Sequence, residues 1–178
     1  VYSMVSRRYS GCDLVLRQAT LESLMAEKLI DQLKYEEGLR LKTYLCPAGK
    51  RTIGYGHNLD AKPYLEGNKI PDQITEEEAE VILARDVDEV FELLTKGWTG
   101  FLLLQGARRD AVVNMCFQLG VGKLSEFRRM HQALIKCDWQ TAYREALDST
   151  WAVQTPARAQ RVAYQFITGE HYDVPGAD

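Results

Sequence analysis

From about residue 17 the chain takes on a helical period. Leu21, Met25, Leu29 and Leu33 recur at every fourth position, and Leu24 and Ile30 widen the stripe. Gly38 is a C-terminal stop for that helix. The period then changes to two. Leu39, Leu41, Thr43 and Leu45 alternate with Arg40, Lys42 and Tyr44, Pro47-Ala48-Gly49 reads as a turn, and a β-like run resumes from Arg51 to Tyr55. Residues 60–73 hold Pro63, Gly67 and Pro71 and read as a loop-rich connection. Thr75-Glu76-Glu77-Glu78 has the form of a capping box, with Thr75 as N-cap and Glu78 as its partner. The stripe that follows runs through Ala79, Ile82, Leu83, Val87, Val90, Phe91 and Leu94 to Gly97. At 1.5 Å per residue this helix spans about 33 Å, enough to bridge two lobes.

The second half is helical by pattern. One segment is expected over 106–119, stopped by Gly120 and Gly122, and another over 124–135. Asp138 is placed to cap a helix over 139–147, and Thr155-Pro156 opens a last one that ends at Gly169. The expected fold class is α+β, and the organisation is a single domain over 25–178. A small β-containing lobe (25–74) joins an all-helical lobe (97–170) through the helix at 75–96. Residues 1–15 show no clear period, and with Met25 as a natural start residues 1–24 read as an extension.

Apolar residues make up 46% of the 178, so a real core is expected rather than disorder. Nothing approaches the roughly 18 consecutive apolar residues of a membrane helix, so no stable membrane insertion is expected. Arg7 and Arg8 are not followed by an apolar stretch, and no export signal is visible. The net charge of −3 is uneven: residues 61–98 carry 4 basic and 10 acidic groups. That block reads as a solvated helix face. No basic stripe with interleaved aromatics is present, which argues against a nucleic-acid partner. The four cysteines, 12, 46, 116 and 137, form no C-x-x-C pair, so neither a metal site nor a cofactor is expected. Cys116 and Cys137 sit in helical patterns and read as small buried residues.

The candidate chemistry lies in 37–57. Glu37 ends a helix, and Thr52-Ile53-Gly54-Tyr55-Gly56-His57 follows the turn that carries Cys46. Cleavage of a glycosidic bond needs a rigidly held acid that still carries its proton near neutral pH. Glu37 meets the first requirement, while Glu36 beside it must point elsewhere on the helix. Cys46 stands where a second carboxylate is the usual partner. It reads as a buried turn residue, as a base or nucleophile, or as a redox control point. Thr52 reads as a strand residue or as the holder of a water, and His57 as structural or as the partner of a helix carboxylate.

The spacing Glu37-x8-Cys46-x5-Thr52, followed by Ile53-Gly54-Tyr55-Gly56-His57, resembles the phage-type lysozymes, glycoside hydrolase family 24, as in the T-even phage lysozyme-like endolysins. Further segments agree: Glu37-Gly38-Leu39-Arg40-Leu41-Lys42, the helix from Ile74-Thr75 to Asp86-Val87-Asp88, and Arg108-Arg109 with Asn114-Met115-Cys116-Phe117-Gln118-Leu119-Gly120. So does Trp151 with Gln154-Thr155-Pro156-x-Arg158-Ala159-x-Arg161-Val162, and together the likeness runs over roughly 25–170. Tyr44-Leu45-Cys46-Pro47-Ala48-Gly49 is similar to a subgroup with cysteine in place of the catalytic aspartate. The resemblance implies Glu37 as general acid, Cys46 in the aspartate position and Thr52 placing a water. It implies that Asn114, Phe117, Gln118 and Trp151 line the sugar cleft, and that Arg158 pairs with Glu37 and His57 with Asp86 as supports. In that subgroup the cysteine can be locked in a disulfide before activation, and Cys12 is the candidate partner here.

These readings lead to an endolysin cutting the N-acetylmuramic acid–N-acetylglucosamine β-1,4 bond of bacterial peptidoglycan. It is expected to be a monomer, to accumulate in the host cytoplasm, and to depend on a membrane-hole-forming holin to reach the wall. Two other readings stand beside it. A lytic transglycosylase needs one acid/base glutamate and leaves 1,6-anhydro ends, and a non-catalytic wall-binding module keeps the fold without turnover.

Overall fold

A computed structural model describes residues 27–62 and 70–175 of the chain. The expected extension at 1–24, Met25 and Cys12 lie outside the described residues. Helix α1 covers 27–37 and buries Leu29 and Leu33, together with Gln32, a polar residue between them. Gly38 follows it with φ +69°, its N–H donating back to Lys34 O at 3.0 Å. Three short antiparallel strands come next in the order β1 (Arg40–Leu45), β2 (Arg51–Gly54) and β3 (His57–Asn58).

The long helix α2 (Glu76–Gly97) begins as the pattern indicates. Glu78 N–H donates to Thr75 Oγ1 and Thr75 N–H to Glu78 Oε2, so each end of the box satisfies a donor of the other. Its buried face is Ala79, Ile82, Leu83, Val87, Val90 and Leu94, with Asp86 the one carboxylate among them. The other acidic residues of this stretch are exposed or half-buried, as expected of a solvated face.

Helices α3 (Gly106–Leu124), α4 (Arg128–Ile135), α5 (Trp139–Leu147), α6 (Thr150–Gln154) and α7 (Pro156–Thr168) build the second lobe, and a short 3-10 turn at Thr99–Leu103 precedes them. The α+β class is therefore correct: a small sheet, a linking helix and a helical lobe around one core. Asp138 caps α5, accepting from Thr141 N–H at 3.1 Å, and Pro156 opens α7.

Several expectations need correction. Gly120 kinks α3 (φ 77°, ψ 156°) without ending it, because the chain re-enters helical geometry as far as Leu124. The following helix starts at Arg128 rather than 124, after a turn at 125–127. Neither α6 nor the 3-10 turn is visible as a period, since five residues are too few to show one. Cys137 is exposed, not buried in a helix: it sits just past α4 with φ +56°. Leu45, in phase with Leu39, Leu41 and Thr43 in the alternation, is nevertheless 69% exposed, because β1 bulges before reaching it.

Candidate active site

Glu37 stands at the last position of α1, its side chain 20% exposed. Arg158, on the first turn of α7, lies 121 residues away in sequence, and its Nη1 donates to Glu37 Oε1 at 2.6 Å. The same guanidinium donates through Nε and Nη2 to Asn114 Oδ1 at 3.0 and 2.8 Å, and through Nη2 to Asn114 O at 3.3 Å. A planar fork locked from behind by an amide and a carbonyl has one orientation left, and that orientation holds one carboxyl oxygen of Glu37. Arg158 does not hold Oε2. It lies against the turn between β2 and β3, where a Cβ on Gly56 would come within 3.4 Å of it.

Glu36 points elsewhere, as a helix requires. Arg161, one turn beyond Arg158 on α7, binds it with Nε–Oε1 3.0 Å and Nη2–Oε2 2.9 Å, and the Tyr172 hydroxyl adds a bond to Oε1 at 2.9 Å. Gln32, one turn back on α1, donates to Tyr172 O at 3.0 Å and to Gln165 Oε1 at 3.2 Å. Next to Tyr172, His171 Nε2 lies 2.8 Å from Asp110 Oδ2 on α3. The chain after Gly169 thus braces α1 against α3, the helices that carry Glu37 and Asn114. No periodicity marks these contacts in the sequence. The one available signal was the pair of arginines at i and i+3 facing two adjacent glutamates.

Cys46 belongs to the turn between β1 and β2. Its N–H donates to Lys50 O at 2.9 Å, and its carbonyl accepts from Gly49 N–H at 2.8 Å. The thiol is half-buried and free. The backbone N–H of Lys50 holds its pKa below the ordinary thiol range against the opposing effect of desolvation, with Ala48 N–H and the Thr52 hydroxyl adding to it. Thr52 is buried, and its hydroxyl also reaches Lys50 O at 3.0 Å. The turn is therefore shaped to stabilise a thiolate, through donors that lie within six residues of the sulfur.

His57 on β3 is buried and places Nδ1 2.8 Å from Asp86 Oδ2 of α2, while Lys62 Nζ reaches Asp86 Oδ1 at 3.2 Å. Burial alone would raise the Asp86 pKa, but the bond to His57 and the charges of His57 and Lys62 outweigh it and hold the carboxyl below its usual range. This pair ties the sheet to the linking helix.

The residues expected to line the cleft divide into two groups. Phe117 and Gln118 are half-buried at the surface of α3. Asn114 is 0% exposed, so it cannot touch a sugar; it lies under Arg158 and spends its oxygen there. Trp151 is 3% exposed, its Nε1 donating to Gln118 Oε1 at 2.7 Å and its ring meeting Phe127 edge-on at 6.5 Å. Trp151 also walls a pocket of about 710 Å³ that contains Lys123, Glu126, Arg128, Glu145 and Asp148 but not Glu37, Cys46 or Thr52. Among the described residues no cluster of His, Cys, Asp and Glu is arranged to hold a metal.

With this geometry in hand, the comparisons are specific. Residues 34–162 match the phage lysozyme family. The chain is 34% identical over 166 residues to the pre-baseplate central spike protein Gp5 of Enterobacteria phage T4, which covers 82% of this chain and only 29% of that protein. It is 31% identical over 164 residues to a probable T4-type lysozyme 2 of Dictyostelium discoideum, covering 82% of this chain and 96% of the relative. An endolysin of Acyrthosiphon pisum secondary endosymbiont phage 1 is 36% identical over 97 residues, which is 54% of this chain and 60% of that protein.

Proposed function

The chain belongs to the phage lysozyme family, a family of lysozyme-type peptidoglycan hydrolases, and from that premise we propose that it hydrolyses the β-1,4 bond between N-acetylmuramic acid and N-acetylglucosamine. The observation that carries this reading is the Glu37–Arg158–Asn114 arrangement, which fixes one carboxyl oxygen and leaves the other directed at the β2–β3 turn. In the reaction, Glu37 gives its proton to the glycosidic oxygen as the C1–O bond breaks, and the bonding electrons leave with that oxygen. Water adds to C1 and loses a proton to the Cys46 thiolate. Glu37 ends as carboxylate and Cys46 as thiol, and proton exchange with solvent restores both. The thiolate does here what a carboxylate does in a two-carboxylate site.

Phe117 and Gln118 are the surface candidates for sugar contact. Trp151 acts from below by holding the Gln118 amide. The pocket beyond Trp151 carries both signs of charge, which suits a peptide substituent bearing carboxylates and an amine.

The protein acts as an endolysin in host lysis, reaching the wall from the cytoplasm once a separate partner has opened the membrane. Among the described residues no helix is long and apolar enough to cross a membrane. The experiment is clearing of purified peptidoglycan followed by mass analysis of the fragments. Reducing muramic ends support hydrolysis, and 1,6-anhydro ends mean transglycosylation. Binding without clearing means a non-catalytic wall module.

A further inference from the structure

Between the acid and the thiol, the sheet departs from regular pairing. Arg40 faces Gly54, yet Tyr44 faces Thr52, so four steps along β1 match two along β2. Had the Arg40–Gly54 register continued, Lys42 would face Thr52. The bulge advances Tyr44 into that place instead. It is pinned from its other edge: Thr43 N–H donates to Asp72 O at 3.0 Å, Ile74 N–H to Leu41 O at 2.9 Å, and the Thr43 hydroxyl to Pro71 O at 2.6 Å. Bulges beside active sites commonly exist to aim a side chain.

Directly opposed residues share a face of the sheet, with Cβ atoms about 4.5–5.5 Å apart. Tyr44 therefore stands beside Thr52, and Cys46 follows two positions after Tyr44, where the turn begins. The Arg40 guanidinium lies over the Tyr44 ring at 4.4 Å and fixes its plane. Burial holds the phenol pKa above its ordinary value. Arg40 opposes this, and the charges of Cys46 and Glu37 add to it. A neutral phenol carries no charge and its oxygen accepts hydrogen bonds, whereas the ammonium of the displaced lysine is a cation that only donates.

We propose that Tyr44 is a further residue of the reaction, its phenolic oxygen accepting the second hydrogen of the attacking water while Cys46 takes the first. Two acceptors on the water's two hydrogens fix the orientation of its oxygen, so that a lone pair is aimed at C1. The bulge excludes Lys42, which would present a cation and no acceptor at the same point. This rests on the hydrolase reading above.

The test is Tyr44→Phe, which keeps the ring and its stacking under Arg40 and removes only the oxygen. Lys42→Ala serves as the control. Peptidoglycan clearing by Tyr44→Phe should show kcat lower by about tenfold with KM unchanged, because the lost bond forms only to the attacking water. Lys42→Ala should behave as wild type, and thermal unfolding should place both variants with wild type. A Tyr44→Phe kcat within about twofold of wild type overturns the proposal, as does a raised KM with kcat intact, which would make Tyr44 a sugar-binding surface. A loss of kcat accompanied by an equal fall in Lys42→Ala also overturns it, since the bulge as a whole would then be the cause. Failure of the wild-type protein to cleave peptidoglycan would sink the hydrolase reading itself; an active wild type with an undisturbed Tyr44→Phe sinks only the role of Tyr44.

Discussion

The acid and the thiol are held in opposite ways. Glu37 is fixed by residues far away in the chain: Arg158, 121 positions on, grips it, Asn114 grips Arg158, and Arg161 with Tyr172 holds its neighbour Glu36. Cys46 is served by its own turn, through Lys50, Ala48 and Thr52. On the proposed mechanism Glu37 delivers a proton to one oxygen and so needs a direction, which packed helices supply here. On the same mechanism Cys46 acts as a thiolate and so needs nearby donors, which a tight turn supplies on its own. The consequence is that the acid side depends on the whole fold, whereas the thiol side depends on six residues plus whatever anchors the hairpin.

The largest effect is expected at the acid. Glu37→Gln keeps the shape and an acceptor for Arg158 but has no proton to give. Activity should fall by about 10²- to 10⁴-fold, the usual worth of general acid catalysis. Clearing of peptidoglycan at matched folded concentration measures it, and near-native activity would remove Glu37 from the mechanism.

On the thiol side, Cys46→Ser should cost about 10²-fold, because a hydroxyl is a far weaker base than a thiolate. Cys116→Ser and Cys137→Ser should cost little. Burial pushes the Cys116 thiol up to about 11, so it is no thiolate at neutral pH, and Cys137 lies exposed beyond α4. Cys46→Asp should retain activity if the turn serves any anion. The pH profile sharpens this. Activity that needs the thiolate is lost as pH falls through the Cys46 pKa. Because the turn lowers that value, the loss should begin below the ordinary thiol value of about 8.5. In Cys46→Asp the same limb should move toward about pH 4. Limbs at the same pH in the two proteins would show that another group is titrating.

The contrast also explains what the sequence could disclose. The helix stop at Gly38, the capping box at Thr75 and the turn at Pro47-Ala48-Gly49 are local, and each was legible from neighbours within four residues. The pairing of Arg158 with Glu37 was suggested only by family resemblance, since nothing around either residue encodes a partner 121 positions away. The brace through His171 and Tyr172 was missed altogether. Asn114 was expected on the cleft wall; α3 is buried all round its circumference here, with Ala111, Val112, Val113, Met115 and Cys116 all inside, and leaves it no route to solvent. The bulge in β1 escaped the alternation because extra residues shift register without altering the run of polar and apolar positions.

The anchor of the hairpin can be loosened separately. Asp86→Asn removes a carboxylate bound to His57 and Lys62 and leaves a buried histidine with a weaker partner. A loss of about 3 kcal/mol in unfolding free energy is expected at neutral pH. The folded pKa of Asp86 lies below its unfolded value, so its contribution is complete above about pH 4 and disappears as pH falls through the folded pKa. Denaturant melts of wild type and variant should therefore converge in acid. A gap that stays constant from neutral pH down to about pH 2 would mean that the pair contributes through packing, not charge.

The smallest effect tests where the two sides meet. Gly54 and Gly56 both have left-handed backbone, at φ +63° and +86°, so alanine at either position costs about 1–2 kcal/mol in strain. Their surroundings differ. A Cβ at Gly54 would meet Ala79 Cβ at 3.5 Å, ordinary contact in the core, whereas one at Gly56 would meet Glu37 Oε2 at 3.4 Å. Gly54→Ala should thus lower the melting temperature and leave kcat alone. Gly56→Ala should lower both, with kcat down by no more than about fivefold, since the added methyl rests in van der Waals contact against the oxygen that the proposed mechanism uses and limits how it can move. Because strain is common to both variants, the difference in kcat between them isolates the contact with the carboxyl. Equal kcat values in the pair would mean that Oε2 tolerates the added methyl, and that the hairpin does not help to aim the acid.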